Sequence, residues 1–143
     1  MAIKGLFLFC IPLLGLAIAQ PKKKVPVTQT IAYKQGKEVY KKVCLSCHME
    51  DGGGVPRLNP PLINTTYVSG DKQQLISIVL KGMKERVAID DEHYSNNMAS
   101  HAYLSDLEIA AVLTYIRNSF GNKASVVTPA EVKQVRAIIA LSK

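Results

Sequence analysis

The chain has 143 residues, room for one domain whose core can stand alone. It carries 18 Lys and Arg against 11 Asp and Glu, a formal net charge of +7, and 3 cysteines. That basic balance suits acidic partners or anionic surfaces, and no Arg-rich cluster or aromatic ladder points to nucleic acid.

Lys4 is followed by an unbroken apolar run from Gly5 to Ala19, closing on Ala17-Ile18-Ala19. A positive start, an apolar centre and an A-x-A end predict a secretory signal peptide over 1–19, cleaved after Ala19. As a helix the run would span about 22 Å, short of a hydrocarbon core of about 30 Å, so a membrane anchor fits less well. Cys10 sits in mid-run behind Phe9 rather than at a lipoprotein site. Cleavage would remove Lys4 and Cys10, lowering the charge from +7 to +6 and leaving Cys44 and Cys47 in an exported, periplasmic chain.

Residues 20–32 read as a flexible tether, with Pro21 and Pro26 flanking Lys22-Lys23-Lys24. From about Tyr33 a helix is expected, with Val39, Tyr40 and Val43 on one side and Lys34, Lys37, Lys41 and Lys42 elsewhere. It runs into Cys44-Leu45-Ser46-Cys47-His48, after which Gly52-Gly53-Gly54, Pro56, Pro60 and Pro61 predict irregular backbone. Asp71 and Gln74 look like a capping box for a short apolar helix, Leu75 to Leu80, ending at Gly82. Positions 83–104 carry turn-formers and polar residues and are expected to form a long functional loop. Ser105 and Glu108 then open a helix whose apolar side is Ile109, Ala110, Val112, Leu113, Ile116 and Phe120, stopped by Gly121. Within 123–143, Thr128, Pro129 and Glu131 start a last helix bearing Val132, Val135, Ile138 and Ile139. There are no repeats and no convincing strands, so the fold class is all-α, with the domain proper over 33–122.

Cys44-Leu45-Ser46-Cys47-His48 is the C-x-x-C-H attachment signature of c-type haem. Residues three apart share one face of a helical turn, so both thiols can bond the two vinyl groups of one porphyrin edge. His48, the next residue, then faces the iron. A zinc site would need further Cys or His ligands at matched spacing. A thioredoxin-like pair would sit in a βαβ setting, and a disulfide between cysteines three apart closes a trivial loop. Haem is the reading that remains. For the iron's sixth position, three residues compete on sequence: Met83, Met98 and His101. Met49 adjoins His48 and does not easily reach the opposite haem face.

The run Gly36-Lys37-Glu38-Val39-Tyr40-Lys41-Lys42-Val43-Cys44 resembles the opening helix of the class I cytochromes c. Members of that family carry a glycine and, four residues on, an aromatic where the first helix crosses the last. Here Gly36 and Tyr40 match that pattern, and Ala110 to Arg117 resembles the crossing partner. Asn59-Pro60-Pro61-Leu62 is similar to the family's turn below the haem, which implies that the Pro60 carbonyl accepts the His48 imidazole N–H. In such relatives the distal ligand is a methionine just before an L-S-D-x-E-I-A run. That run is Leu104 to Ala110 here, which implies Met98 as the ligand, with Ala99 standing where proline is common.

The resemblance covers roughly 33–122 and is closest to small bacterial cytochromes and to the cytochrome domains of quinoprotein dehydrogenases. It implies a class I cytochrome c fold around one covalent haem c, with Cys44, Cys47, His48, Pro60 and Met98 forming the site. The expected function is single-electron transfer with His/Met ligation, between redox proteins such as a donor dehydrogenase and a terminal oxidase, and without catalysis by the chain itself. The basic charge is compatible with acidic docking surfaces and with peripheral membrane association. The alternative is a haem enzyme or gas sensor with an open or displaceable sixth position, for which His101 is the available polar group.

Overall fold

The computed structural model describes residues 25–84 and 86–142, so the expected leader and the Lys22-Lys23-Lys24 run lie outside the described residues. A single turn at Val27–Gln29 leads to Thr30, whose hydroxyl accepts the Tyr33 N–H at 3.2 Å and caps α1 (Ile31–Val39). The helical path continues through a wide π turn at Tyr40–Cys44 and one further α turn, α2 (Leu45–His48). It ends at Met49, whose φ of 63° turns the chain away. An irregular stretch follows, then a one-turn α3 (Thr66–Ser69) and α4 (Lys72–Lys81), capped by Asp71 accepting from the Gln74 N–H at 2.7 Å. The last two helices are α5 (Asp106–Ile116) and α6 (Pro129–Leu141), each opened by a two-way capping box, Ser105 with Glu108 and Thr128 with Glu131.

The centre of the fold is the crossing of α1 and α5. A Cβ placed on Gly36 would lie 2.0 Å from the Ala111 carbonyl oxygen and 2.8 Å from the Tyr115 Cβ, so the two backbones touch where only glycine fits. Beside the crossing the Tyr33, Tyr40, Tyr115 and Phe120 rings pack with centroids 5.1–5.7 Å apart. Every residue of α5 from Ile109 to Ile116 is buried, because α1 covers one side of it while α4 and α6 cover others. α6 packs onto α4 and α5 through Val132 and Val135, each stabilising by about 1.5–3 kcal/mol if fully transferred from water. Two ion pairs join α6 to the domain: Lys72 with Glu131, and Arg136 with Asp106 at 2.9 Å.

Two elements depart from the sequence reading. Residues 87–94, expected as loop, form an antiparallel hairpin, β1 (Val87–Ile89) with β2 (Glu92–Tyr94), in the register Val87–Tyr94, Ala88–His93 and Ile89–Glu92. Its turn residues Asp90 and Asp91 have φ of 49° and 68°, positions where glycine or asparagine is usual. The Asp90 carboxylate offsets that strain by accepting from the Thr66 hydroxyl at 2.8 Å and the Thr66 N–H at 3.3 Å. The second departure is the end of α5, which stops at Ile116 rather than near Gly121. Phe120 takes a left-handed φ of 56° and turns its ring onto Tyr40 and Tyr115. Buried Arg117 leaves the helix to donate to the carbonyls of Val68 (2.6 Å), Gly70 (3.1 Å) and Ser125 (2.8 Å). Among the described residues no helix is long and apolar enough to cross a membrane.

Candidate functional site

Between α2, the proline stretch, α4, the hairpin and the segment before α5 lies a cavity of about 350 Å³. Its walls are mostly apolar, with Val43, Val68, Leu75, Ile78, Val87 and Ile116 among them. Cys44, Cys47, His48, Pro60 and Met98, distant in sequence, all line it, and so do Met83 and His101.

The cysteine and histidine side is set by the helix that leads to it. Tyr40, 1% exposed, donates from its hydroxyl to the Met49 carbonyl at 2.6 Å and so pins the end of α2 to the aromatic cluster. Burial, with Cys44 and Tyr115 nearby, raises the pKa of that hydroxyl, so it remains a donor. Cys44 and Cys47 are free thiols, the first half-buried and the second exposed. Burial, then the neighbouring Cys47, pushes the Cys44 thiol up to about 11. A thiol held neutral in this way is a poor match for a redox-active pair, whose attacking sulfur is activated by a lowered pKa. Among the described residues no three His, Cys, Asp or Glu side chains converge as around zinc.

His48 donates from Nδ1 to the Pro60 carbonyl at 3.0 Å, a partner that can only accept. Its Nε2 is thereby the lone-pair nitrogen. Burial lowers the His48 pKa, the Pro60 hydrogen bond partly opposes this, and His101 lowers it further. The neutral ring that results is the form that binds a metal. The proline turn is itself fixed. Gly54 N–H donates to the His48 carbonyl at 3.1 Å, and Leu62 N–H to the Gly52 carbonyl at 2.7 Å. Buried Asn122 accepts from the Asn64 N–H (2.7 Å) and donates to the carbonyls of Leu62 and Ile116 (both 2.8 Å).

The sulfur side is built on the end of α4. Met98 pairs with Met83 in an isolated antiparallel bridge, each N–H donating to the other's carbonyl at 2.9 Å. The Ser100 hydroxyl donates to the Leu80 carbonyl at 2.6 Å, and the His101 N–H to the Val79 carbonyl at 2.9 Å. The anchor of the Met98 segment is therefore α4, rather than the α5 cap that follows it in sequence. The ring of His101, half-buried, lies edge-on to Tyr103, and burial lowers its pKa. The Asn122 bonds to the proline turn and the Met83–Met98 pairing carried no local sequence signal, since those partners lie more than a dozen residues away.

These residues fit a haem: paired thiols and a neutral imidazole on one wall, thioether sulfurs at another, and apolar sides between them. A family model described as Cytochrome c matches residues 33–120. The chain is 33% identical to a cytochrome c-552 of Thermus thermophilus over 116 residues, which cover 75% of this chain and 78% of that protein. It is 37% identical over 106 residues to the cytochrome c subunit of a quinone alcohol dehydrogenase from Gluconacetobacter polyoxogenes, and 34% identical over 107 residues to the fructose dehydrogenase cytochrome subunit of Gluconobacter japonicus. Each of these two matches covers 71% of this chain but 22% of the longer subunit. The helical fold, the cavity and the matched region together make this chain a member of the class I cytochrome c family, an electron carrier with a covalently bound haem c.

Proposed function

We propose that this cytochrome is an exported, periplasmic single-electron carrier in which Cys44 and Cys47 would bond the haem, and His48 and Met98 would ligate its iron. The observation that carries the reading is the His48 Nδ1–Pro60 carbonyl hydrogen bond, which fixes the tautomer and the plane of an imidazole opening on the same cavity as Met98. The bound haem supplies a reversible one-electron couple, and methionine ligation raises its potential. The chain's own residues do the rest. Cys44 and Cys47 hold the cofactor against loss, the Pro60 carbonyl increases the basicity of His48, and the apolar walls exclude water. With both positions taken by these side chains no site would stay open for a substrate, so this ligation goes with a carrier rather than with a haem enzyme or gas sensor.

The dehydrogenase-subunit names among the relatives support a dehydrogenase as electron donor; a terminal oxidase would be the acceptor that completes the chain. Exposed Lys34, Lys37, Lys41 and Lys42, on the helix leading to Cys44, would meet an acidic face on either partner. The decisive experiment is NMR of the ferrous holoprotein labelled with methyl-13C methionine. A single strongly ring-shifted methyl, assigned sequentially to residue 98, is the expected result. Assignment to another residue, or a high-spin protein with no shifted methyl that binds carbon monoxide readily, overturns the reading.

A further inference from the structure

Met83 is at first sight an ordinary packing residue, one position beyond Gly82 at the end of an apolar helix. Its place in the cavity is not ordinary. Met83 and Met98 face each other across an antiparallel bridge with reciprocal hydrogen bonds of 2.9 Å, and both line the haem cavity. Directly opposed residues in such a pair project to the same side, with Cβ atoms about 4.5–5.5 Å apart. The backbones beneath them are locked together. Gly82 has a left-handed φ of 73°, and a Cβ there would lie 2.3 Å from the Met98 carbonyl oxygen and 2.8 Å from the Ser100 nitrogen. The Ser100–Leu80 and His101–Val79 hydrogen bonds continue the clamp on the same edge. Two thioether sulfurs are thus delivered to one region of the cavity from a common rigid base.

We propose that Met83 is a second distal ligand, exchangeable with Met98 at the haem iron. The inference rests on Met98 ligation as put forward above. Methionine has three rotatable side-chain bonds, so either sulfur can approach or withdraw without movement of the paired backbone. In the exchange the iron–sulfur bond to Met98 breaks and one to Met83 forms. No electron or proton is transferred, and the ligand type stays the same. The second sulfur recaptures an iron that has lost the first, which keeps the sixth position closed to small ligands. A leucine at position 83 would fill space equally well but could not do this.

The test uses the holoprotein and two single variants with their double. Met98→Leu should remain low-spin, keep the weak red-edge absorption band of sulfur ligation at a shifted maximum, and show a ring-shifted methyl assigned to Met83. Met83→Leu/Met98→Leu should be high-spin and bind carbon monoxide rapidly. In the otherwise native protein, Met83→Leu alone should raise the rate of carbon monoxide binding to the ferrous form several-fold, a readout that survives even if Met98→Leu fails to fold. A Met98→Leu protein as high-spin and as reactive as the double variant makes Met98 the sole ligand; that overturns the exchange and leaves the preceding reading intact. A low-spin Met98→Leu protein without the sulfur band, made high-spin by His101→Ala, gives the position to His101 and equally overturns it. An unchanged carbon monoxide rate in Met83→Leu does so as well. Loss of the shifted methyl in Met83→Leu alone, with its retention in Met98→Leu, overturns both this proposal and Met98 ligation.

Discussion

Replacing Gly36 with alanine adds one methyl group where α1 and α5 meet backbone to backbone. That carbon would sit 2.0 Å from the Ala111 oxygen, 2.5 Å from the Ala111 carbonyl carbon and 2.8 Å from the Tyr115 Cβ. Ordinary contact begins near 3.4 Å, so α1 must lift from α5 by more than an ångström. The displacement opens the Tyr33–Tyr115 and Tyr40–Tyr115 contacts, now at centroid distances of 5.1 and 5.4 Å. Overpacking costs about 3 kcal/mol at its upper end, and each loosened aromatic pair adds about 0.5–1.5 kcal/mol. Alanine returns about 1 kcal/mol through its better helix propensity. The net expectation is a loss of about 3–5 kcal/mol, roughly 12–20 °C in Tm for a domain of this size. Guanidinium unfolding of the holoprotein, followed by far-ultraviolet circular dichroism, measures it directly. A Gly36→Ala protein within about 0.5 kcal/mol of the parent would refute the close-crossing argument, since the packing loss would then barely exceed the gain in helix propensity.

Haem should stay on the chain through denaturing electrophoresis, and Cys44→Ser or Cys47→Ser should weaken or abolish that retention; both variants retaining it unchanged would disprove attachment at this motif. Asn122→Ala should cost about 2–3 kcal/mol in urea unfolding, because it removes the side-chain hydrogen bonds to the half-buried Leu62 carbonyl, the Ile116 carbonyl and the Asn64 N–H. Electron transfer with an acidic redox protein should slow as salt rises, exposed lysine charge being screened over about 8 Å at physiological ionic strength, and a flat dependence would dismiss Lys34, Lys37, Lys41 and Lys42 as a docking surface. Glu131 has its pKa lowered, chiefly by its bond with Lys72 and then by its bonds with Thr128, so it contributes stability that is complete above about pH 5. That contribution is lost as pH falls through the lowered folded value, so the stabilities of the parent and Glu131→Gln should converge in acid; a gap that persists there would show that the carboxylate charge is not its source.

What could be read from the sequence was local chemistry. Side-chain caps announce themselves within four residues, and Asp71, Ser105 and Thr128 each begin a helix as expected. The attachment motif is equally local, whereas Gly36 with Tyr40 marked a crossing through the resemblance to the class I cytochromes c, for which close backbone approach supplies the packing reason. The hairpin escaped because its strands are three residues long and its turn is Asp90-Asp91 rather than a glycine pair. Its stability comes partly from Thr66, a residue far back in the chain. The overlong expectation for α5 has the same origin: Phe120 continues the apolar period, yet its ring is needed by Tyr40 and the helix yields to that contact. At the site, the proline turn carried a visible signature, whereas the pairing of Met83 with Met98 depends on two loop segments meeting in space.

The crossing of α1 and α5 also governs how the molecule comes apart. Joining Gly36 to Ala111 closes a chain loop that contains Cys44, His48, Pro60, Met83 and Met98, the candidate haem-binding and iron-ligating residues. Closing a loop costs entropy that grows only slowly with its length, and here the whole cost falls on one contact between the first and the fifth helix. Once it is met, the contacts around the cavity form within an already closed ring. When it is lost, the two walls of the cavity lose their common frame together. Cofactor crevice and helical scaffold are in this sense one cooperative unit, and probes of either should trace a single unfolding transition.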